Sequence, residues 1–328
     1  MTSQTIDQPV ASAMSGRGPR RGRRLRRLSR RDKWVLGLMV GIPLALDLGF
    51  IWGPAVSTFF LSFTDAHSVA PIQFIGGENY SYMVGIDPRF WPAIRHNVIW
   101  LIEFTVIATP LGGALAVLLD RGIKGGRIYQ SIFFLPVMLS LALIGIIWQI
   151  VYSPQFGLIN GLLHRTSPDN AIDWLGNPHL NLWAVLLEAT WRQAGYVMVL
   201  YLAGLKGVDP SLREAAAVDG ANAWQTFWRV VFPVLRPINN VILVVTVIES
   251  LRAFDLVYIT NGGSNGLELL SAMITTDITG PANRIGYGSA VGVVLLVISL
   301  VPISISSPNS CGGTNPDERT GLGPRERR

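Results

Sequence analysis

Seven ionisable side chains fall in otherwise apolar stretches: Asp47, Glu103, Glu188, Arg192, Glu249, Arg252 and Asp255. A charge among hydrocarbon neighbours is costly, so such residues face a bundle interior or a polar path. Glu188 and Arg192 are spaced to pair on one helix face, and so are Glu249 and Arg252. Near them lie groups that could meet a neutral polyol, whose hydroxyls need donors and acceptors and whose C–H faces suit an aromatic ring. Trp191 and Tyr196 offer the rings, and Ser140, Thr246, Ser250 and Asp255 the polar atoms. Two readings stay open: charge pairs that only hold helices in register, and side chains that line a solute path.

Other chemistries lack their residues. No glycine-rich loop ends in Gly-Lys-Ser/Thr, and Gly125-Gly126 and Asn261-Gly262-Gly263 read as turns. His67, His96, His164 and His179 show no metal-ligand spacing and read as surface residues. No Gly-x-Ser-x-Gly motif is present, and a lone cysteine, Cys311, leaves no disulfide framework. No metal site, catalytic residue or cofactor is expected on this chain.

The elements that hold these residues are apolar. Hydrophobic residues make up 49% of the 328 and charged residues 15%, with a mean hydropathy of +0.38. A helix needs about 20 apolar residues to span a bilayer. Six segments qualify, at about 34–63, 98–119, 129–151, 182–205, 238–259 and 285–305. The expected fold class is therefore all-α, a polytopic membrane protein of six transmembrane helices. Pro43 and Pro54 are expected to kink the first span.

Ten basic residues lie between Arg17 and Lys33, forming an arm over residues 1–33 that reads as a cytoplasmic retention signal rather than a nucleic-acid contact. Arg121, Lys124 and Arg127 lie on the same side, as do Lys206, Arg213, Arg229 and Arg236. The positive-inside rule makes that side cytoplasmic, with both termini there, and the opposite loops read as short external caps. Residues 306–328 read as a polar, disordered tail.

One cytoplasmic loop, 206–237, is the informative segment. Asp209-Pro210 starts a helix through Leu212, Ala215, Ala216 and Val218, Asp219-Gly220 breaks it, and Asn222 caps a second. Trp224, Phe227, Trp228 and Val231 recur at helical spacing before Pro233 and Pro237. Glu214, Ala215, Ala216, Gly220, Val230, Phe232 and Pro233 resemble the EAA loop of binding-protein-dependent ABC importer permeases, with Val and Phe where that pattern has Ile and Leu. FIGGENYSYM, SIFFLPVMLS, FGLIN and SLRAFDLVYITNGG extend the similarity to the maltose-type carbohydrate permeases, over roughly Trp34 to Pro302.

That resemblance implies a type I importer permease fold and a subunit without its own ATPase site. It implies a second related permease, two copies of an ATP-binding subunit that uses ATP and Mg, an extracytoplasmic solute-binding protein, and a place in the cytoplasmic membrane among lipid. Glu214 would contact the ATP-binding subunit, Asp219 and Gly220 would form the bend, and Trp224, Phe227 and Trp228 would transmit its closure. Tyr196 would line the solute pocket, with Ser140 and Ser250 near it. The ending after Leu300 departs from the family pattern, as a divergent terminus or a frame change would make it.

Overall fold

The computed structural model describes residues 29–67, 71–263 and 265–306. The basic arm up to residue 28 and the tail from residue 307, Cys311 included, lie outside them. Two compact units divide the chain, Met1–Pro54 and Ala55–Arg328.

Helix α1 (Arg30–Leu61), which starts in the first unit and ends in the second, begins at a reciprocal cap. The Arg31 amide donates to Ser29 Oγ, and the Ser29 amide donates to Asp32 Oδ2, both at 3.1 Å. Arg30 to Lys33, expected as part of the arm, thus form the first helical turn. The helix continues through Pro43 and widens over Leu48–Trp52 ahead of Pro54. An extra residue per turn absorbs the hydrogen bond a proline cannot make.

In the second unit the helices follow in the order α2 (Glu78–Gly85), α3 (Phe90–Asp120), α4 (Gly126–Met138), α5 (Leu141–Val151), α6 (Leu158–Leu162) and α7 (Asn181–Lys206). Then come α8 (Pro210–Val218), α9 (Ala223–Val234), α10 (Arg236–Leu251), α11 (Phe254–Asn261), α12 (Leu270–Thr279) and α13 (Ile285–Ser306). Among the described residues the only β-type pairings are the isolated Thr64–Phe74 and His67–Arg284 bridges.

Helices occupy all six apolar segments, yet among the described residues only α1 and α3 are single helices long and apolar enough to cross a membrane, or up to four spans if the bent pairs α4–α5 and α9–α11 are counted. Of the remainder, α7 is more polar and α13 is apolar but shorter over Ile285–Leu300. Expected as one segment, 129–151 turns by 101° between α4 and α5, where Ser140 leaves helical geometry and accepts from the Leu143 amide at 3.2 Å. Expected span 238–259 is interrupted at Arg252 and Ala253. Helix α7 runs 26 residues but buries Glu188, Thr190 and Gln193, which lowers its hydropathy.

The loops expected as short external caps are more ordered than their turn residues suggested. Helix α3 starts at Phe90, eight residues before the apolar run at Val98, and α12 occupies the loop before α13. Met83, Phe90, Ala93, Leu270, Met273, Tyr287 and Val291 bury together and fold these segments onto α13. Asn97 Oδ1 accepts the Leu270 amide at 3.1 Å and so caps α12.

The centre of the unit is the packing of α3 on α7. A Cβ at Gly112 would lie 2.6 Å from the Ala194 carbonyl oxygen, and one at Gly195 would strike the Phe133 carbonyl. Only glycine lets α7 approach both neighbours this closely.

Candidate functional site

The loop between α7 and α10 is built as two short helices set against the ends of α3 and α7. Asp209 Oδ1 accepts the Ser211 amide at 2.9 Å, and Pro210 follows in the first turn of α8. Those hydrogen bonds hold the Asp209 carboxyl below the usual carboxylate range. After Val218 the chain passes through Gly220 at φ +76°, where the Ala221 amide donates back to the Ala216 carbonyl at 2.9 Å. Helix α9 then starts with Asn222 and Gln225 exchanging side-chain and backbone hydrogen bonds at 2.9 and 3.0 Å.

One side of this loop is anchored. Ala216, Val231 and Leu235 are buried, and the last two join Ala116, Met198, Leu202, Leu205 and Val208 in one cluster. Arg213 on α8 forms an ion pair with Asp120 at the end of α3, 2.8 Å. The opposite side is bare: Glu214, Ala215 and Asp219 are exposed, as are Val218 (88%) and Trp224 (72%).

The aromatic ridge does not project as a unit. Trp224, Trp228 and Phe232 form a run of ring contacts at 5.6 and 4.9 Å, but Phe227 turns inward against the α3–α7 cluster. A regular helix would put Trp224, Phe227 and Val231 on one face, but the turn widens over Phe227–Val231, and Val231 is buried while Trp224 stays outside. Pro233 is half-buried beside them.

A second set of the singled-out residues forms a polar seam where α3, α7, α10 and α11 meet. The charges do not pair within their own helices as the spacing allowed. Arg192 reaches across to Glu249, 3.2 Å, while Glu188 accepts from the Thr260 hydroxyl at 3.1 Å. Helix α10 ends at Leu251 with Arg252 as its C-cap, so Glu249 and Arg252 no longer share a regular helix face. Arg192, Glu249, Arg252 and Asp255 line one small cavity of about 30 Å³ with Trp100 and Phe104. Asp255 sits in the first turn of α11, where the helix dipole favours a carboxylate.

The other candidate pathway residues are dispersed. Ser140 is exposed and occupied in capping α5. The buried Ser250 hydroxyl donates to its own helix at the Val247 carbonyl, 2.9 Å, and Thr246 meets Thr109 at 3.4 Å. Trp191 packs on Trp148 with centroids 5.9 Å apart, and Tyr196 is half-buried. Sequence reading missed Thr190, whose hydroxyl donates to Glu103, together with Thr260 and Arg213; a hydroxyl or a charge gives no sign of a partner dozens of residues away. His96, expected at the surface, is half-buried with Nδ1 2.9 Å from the Glu268 carbonyl. Among the described residues no group of three or more His, Cys, Asp or Glu converges to hold a metal.

This architecture has known counterparts. Residues 108–307 match the family described as binding-protein-dependent transport system inner membrane component. The osmoprotective compounds uptake permease protein GgtC of Synechocystis is 34% identical, over 77% of this chain and 90% of that one. The diacetylchitobiose uptake system permease protein NgcF of Streptomyces coelicolor is 31% identical, over 100% of this chain and 96% of that one. A bacterial alginate ABC transporter, solved with an alginate pentasaccharide-bound periplasmic protein, superimposes with a TM-score of 0.74 at 22% identity, over 84% of this chain and 93% of that one. The chain belongs to the family of binding-protein-dependent transport system inner membrane components, the permease subunits of ABC importers. Its all-α fold is that of a type I importer permease.

Proposed function

We propose that this permease passes a sugar through the cytoplasmic membrane and is worked by a separate ATP-hydrolysing subunit that grips the 206–237 loop. Sugar as cargo is supported by the relatives, since NgcF carries a diacetylchitobiose uptake name and AraP of Bacillus subtilis an arabinooligosaccharide one. ATP and Mg belong to the gripping subunit, two copies of it beneath this chain and a second, related permease. A solute-binding protein delivers the sugar from outside, and both termini lie in the cytoplasm.

The observation that carries this reading is the two-sidedness of the loop. Its back is tied to α3 and α7 through Arg213–Asp120 and the Val231–Leu235 cluster. Its front offers Glu214, Val218 and Trp224 uncovered. Movement imposed on the front therefore reaches the transmembrane helices instead of being lost in a flexible loop. The seam of Arg192, Glu249, Arg252 and Asp255 supplies polar groups of the solute path, and the dispersed Trp191, Tyr196, Thr246, Ser250 and Ser140 are its further candidates.

In the assembled complex, Glu214→Lys and Gly220→Pro are expected to leave membrane insertion intact and to abolish solute-stimulated ATP hydrolysis and uptake. Gly220 needs φ +76°, and proline holds φ near −65°. Normal uptake in both variants would refute the loop as the coupling element.

A further inference from the structure

A groove of about 750 Å³ opens beside the coupling loop, bounded by Gly113 and Val117 of α3, Tyr201 of α7 and Trp224 and Trp228 of α9. Its walls are almost wholly apolar, and Arg121 is the single cation lining it. The α3 wall extends from Thr109 to Arg121, about 18 Å at a helical rise of roughly 1.5 Å per residue. One leaflet of hydrocarbon is about 15 Å deep, half of a bilayer core near 30 Å. The groove thus has the length of one leaflet and carries its cation at one end.

The charge at that end is not cancelled among the described residues. Asp120, the adjacent carboxylate, is taken by Arg213 at 2.8 Å, and Arg121 is exposed with no ion pair among the described residues. Lys124 and Arg127 follow in the next turn, also exposed. Gly113 widens the groove, since a Cβ there would already touch the Tyr201 ring at 3.4 Å. A sugar finds too few polar partners on such walls to replace its hydration. A neighbouring apolar helix would cover the walls but bring no anion to Arg121. A fatty acyl chain beneath a phosphate satisfies both.

We propose that the groove holds one anionic phospholipid, its acyl chain between α3, α7 and α9 and its phosphate at Arg121. The choice of the cytoplasmic leaflet rests on the orientation proposed above; the site itself does not. Because Trp224 and Trp228 belong to the coupling loop, the bound chain braces the loop against α3.

The test uses the assembled transporter in phosphatidylcholine vesicles containing increasing fractions of phosphatidylglycerol brominated in its acyl chains. Tryptophan quenching is compared between the native chain and a Trp224→Phe, Trp228→Phe variant, and the difference reports the groove. That difference is expected to saturate at a low fraction of brominated phosphatidylglycerol. Arg121→Gln should raise the half-saturating fraction about fivefold, as loss of one cation at an anionic surface does, and Ala114→Phe should abolish the saturable part by filling the groove. Equal quenching by brominated phosphatidylcholine, or no change in Arg121→Gln, would overturn the proposal. So would absence of any difference signal, which would mean that the second permease covers the groove. ATP-driven uptake measured on the same vesicles separates failure of the lipid site from failure of the transport reading.

Discussion

Arg213 and Asp120 illustrate what single residues contribute. Their ion pair joins α8 to the end of α3 with the arginine about a third exposed and the carboxylate mostly covered, so its intrinsic worth is about 0.5–1 kcal/mol. Under the proposed function its effect on transport exceeds its effect on stability, because it is a polar tie between the exposed loop helix and α3. Arg213→Ala is expected to lower uptake several-fold with little change in thermal unfolding, and the swap Arg213→Asp with Asp120→Arg to recover most of it; uptake unaffected by the single change would contradict the tie.

A second residue cluster fixes the segments that lead into α3 and α13. Arg89 donates to Asp87 at 2.8 Å and to Asp277 at 3.1 Å, and Tyr287 donates to Asp87 at 2.6 Å. Burial pushes both carboxyls up, but at Asp87 the hydrogen bonds from Arg89 and Tyr287 outweigh it and hold the group low. At Asp277 burial prevails and the pKa is raised. As pH falls, Asp277 therefore protonates first, above its ordinary value, at no loss to the folded state. Asp87 contributes stability present above its unfolded pKa, near 3.9, and loses it as pH falls through the lower folded value. Thermal unfolding in detergent should show Asp87→Asn costing about 3 kcal/mol, as breaking a buried pair does, and Asp277→Asn costing clearly less; the reverse order would refute this division. Motif residues such as Glu214 and Gly220 were legible in the sequence because they lie at fixed local offsets. Arg213–Asp120 and Arg89–Asp277 were not, because nothing local records a partner across the fold.

At the scale of elements, hydrophobic runs located the helices but not their breaks. The apolar stretch 129–151 gives no periodic sign that Ser140 will leave helical geometry, since a capping serine and a mid-helix serine look alike in sequence. Helix α12 was hidden for a different reason: Thr275, Thr276 and Thr279 weaken local helix propensity, and burial of Leu270 and Met273 overrides it. The α8–α9 pair was readable because Asp209, Pro210, Gly220 and Asn222 each act on the backbone within a few residues. The glycine contacts of α7 give the clearest element-scale test. Gly112→Val would force α3 away from Ala194 and Val197, with an expected loss of about 1–3 kcal/mol, visible as a lowered unfolding temperature; a variant as stable as the native chain would contradict the close α3–α7 packing.

At the scale of the whole molecule, buried Glu188, Gln193, Thr246 and Ser250 lie along α7 and α10, and bare Val218 and Trp224 lie on the 206–237 loop. The proposed function makes this chain the passive half of a machine whose motor is another subunit. Solute accumulation inside proteoliposomes measures this most directly, with this chain and its partner permease reconstituted with and without the ATP-hydrolysing subunit. Concentrative uptake should require that subunit and hydrolysable ATP, and should vanish when Glu214→Lys replaces the native chain. Accumulation against a gradient by the permeases alone would contradict it.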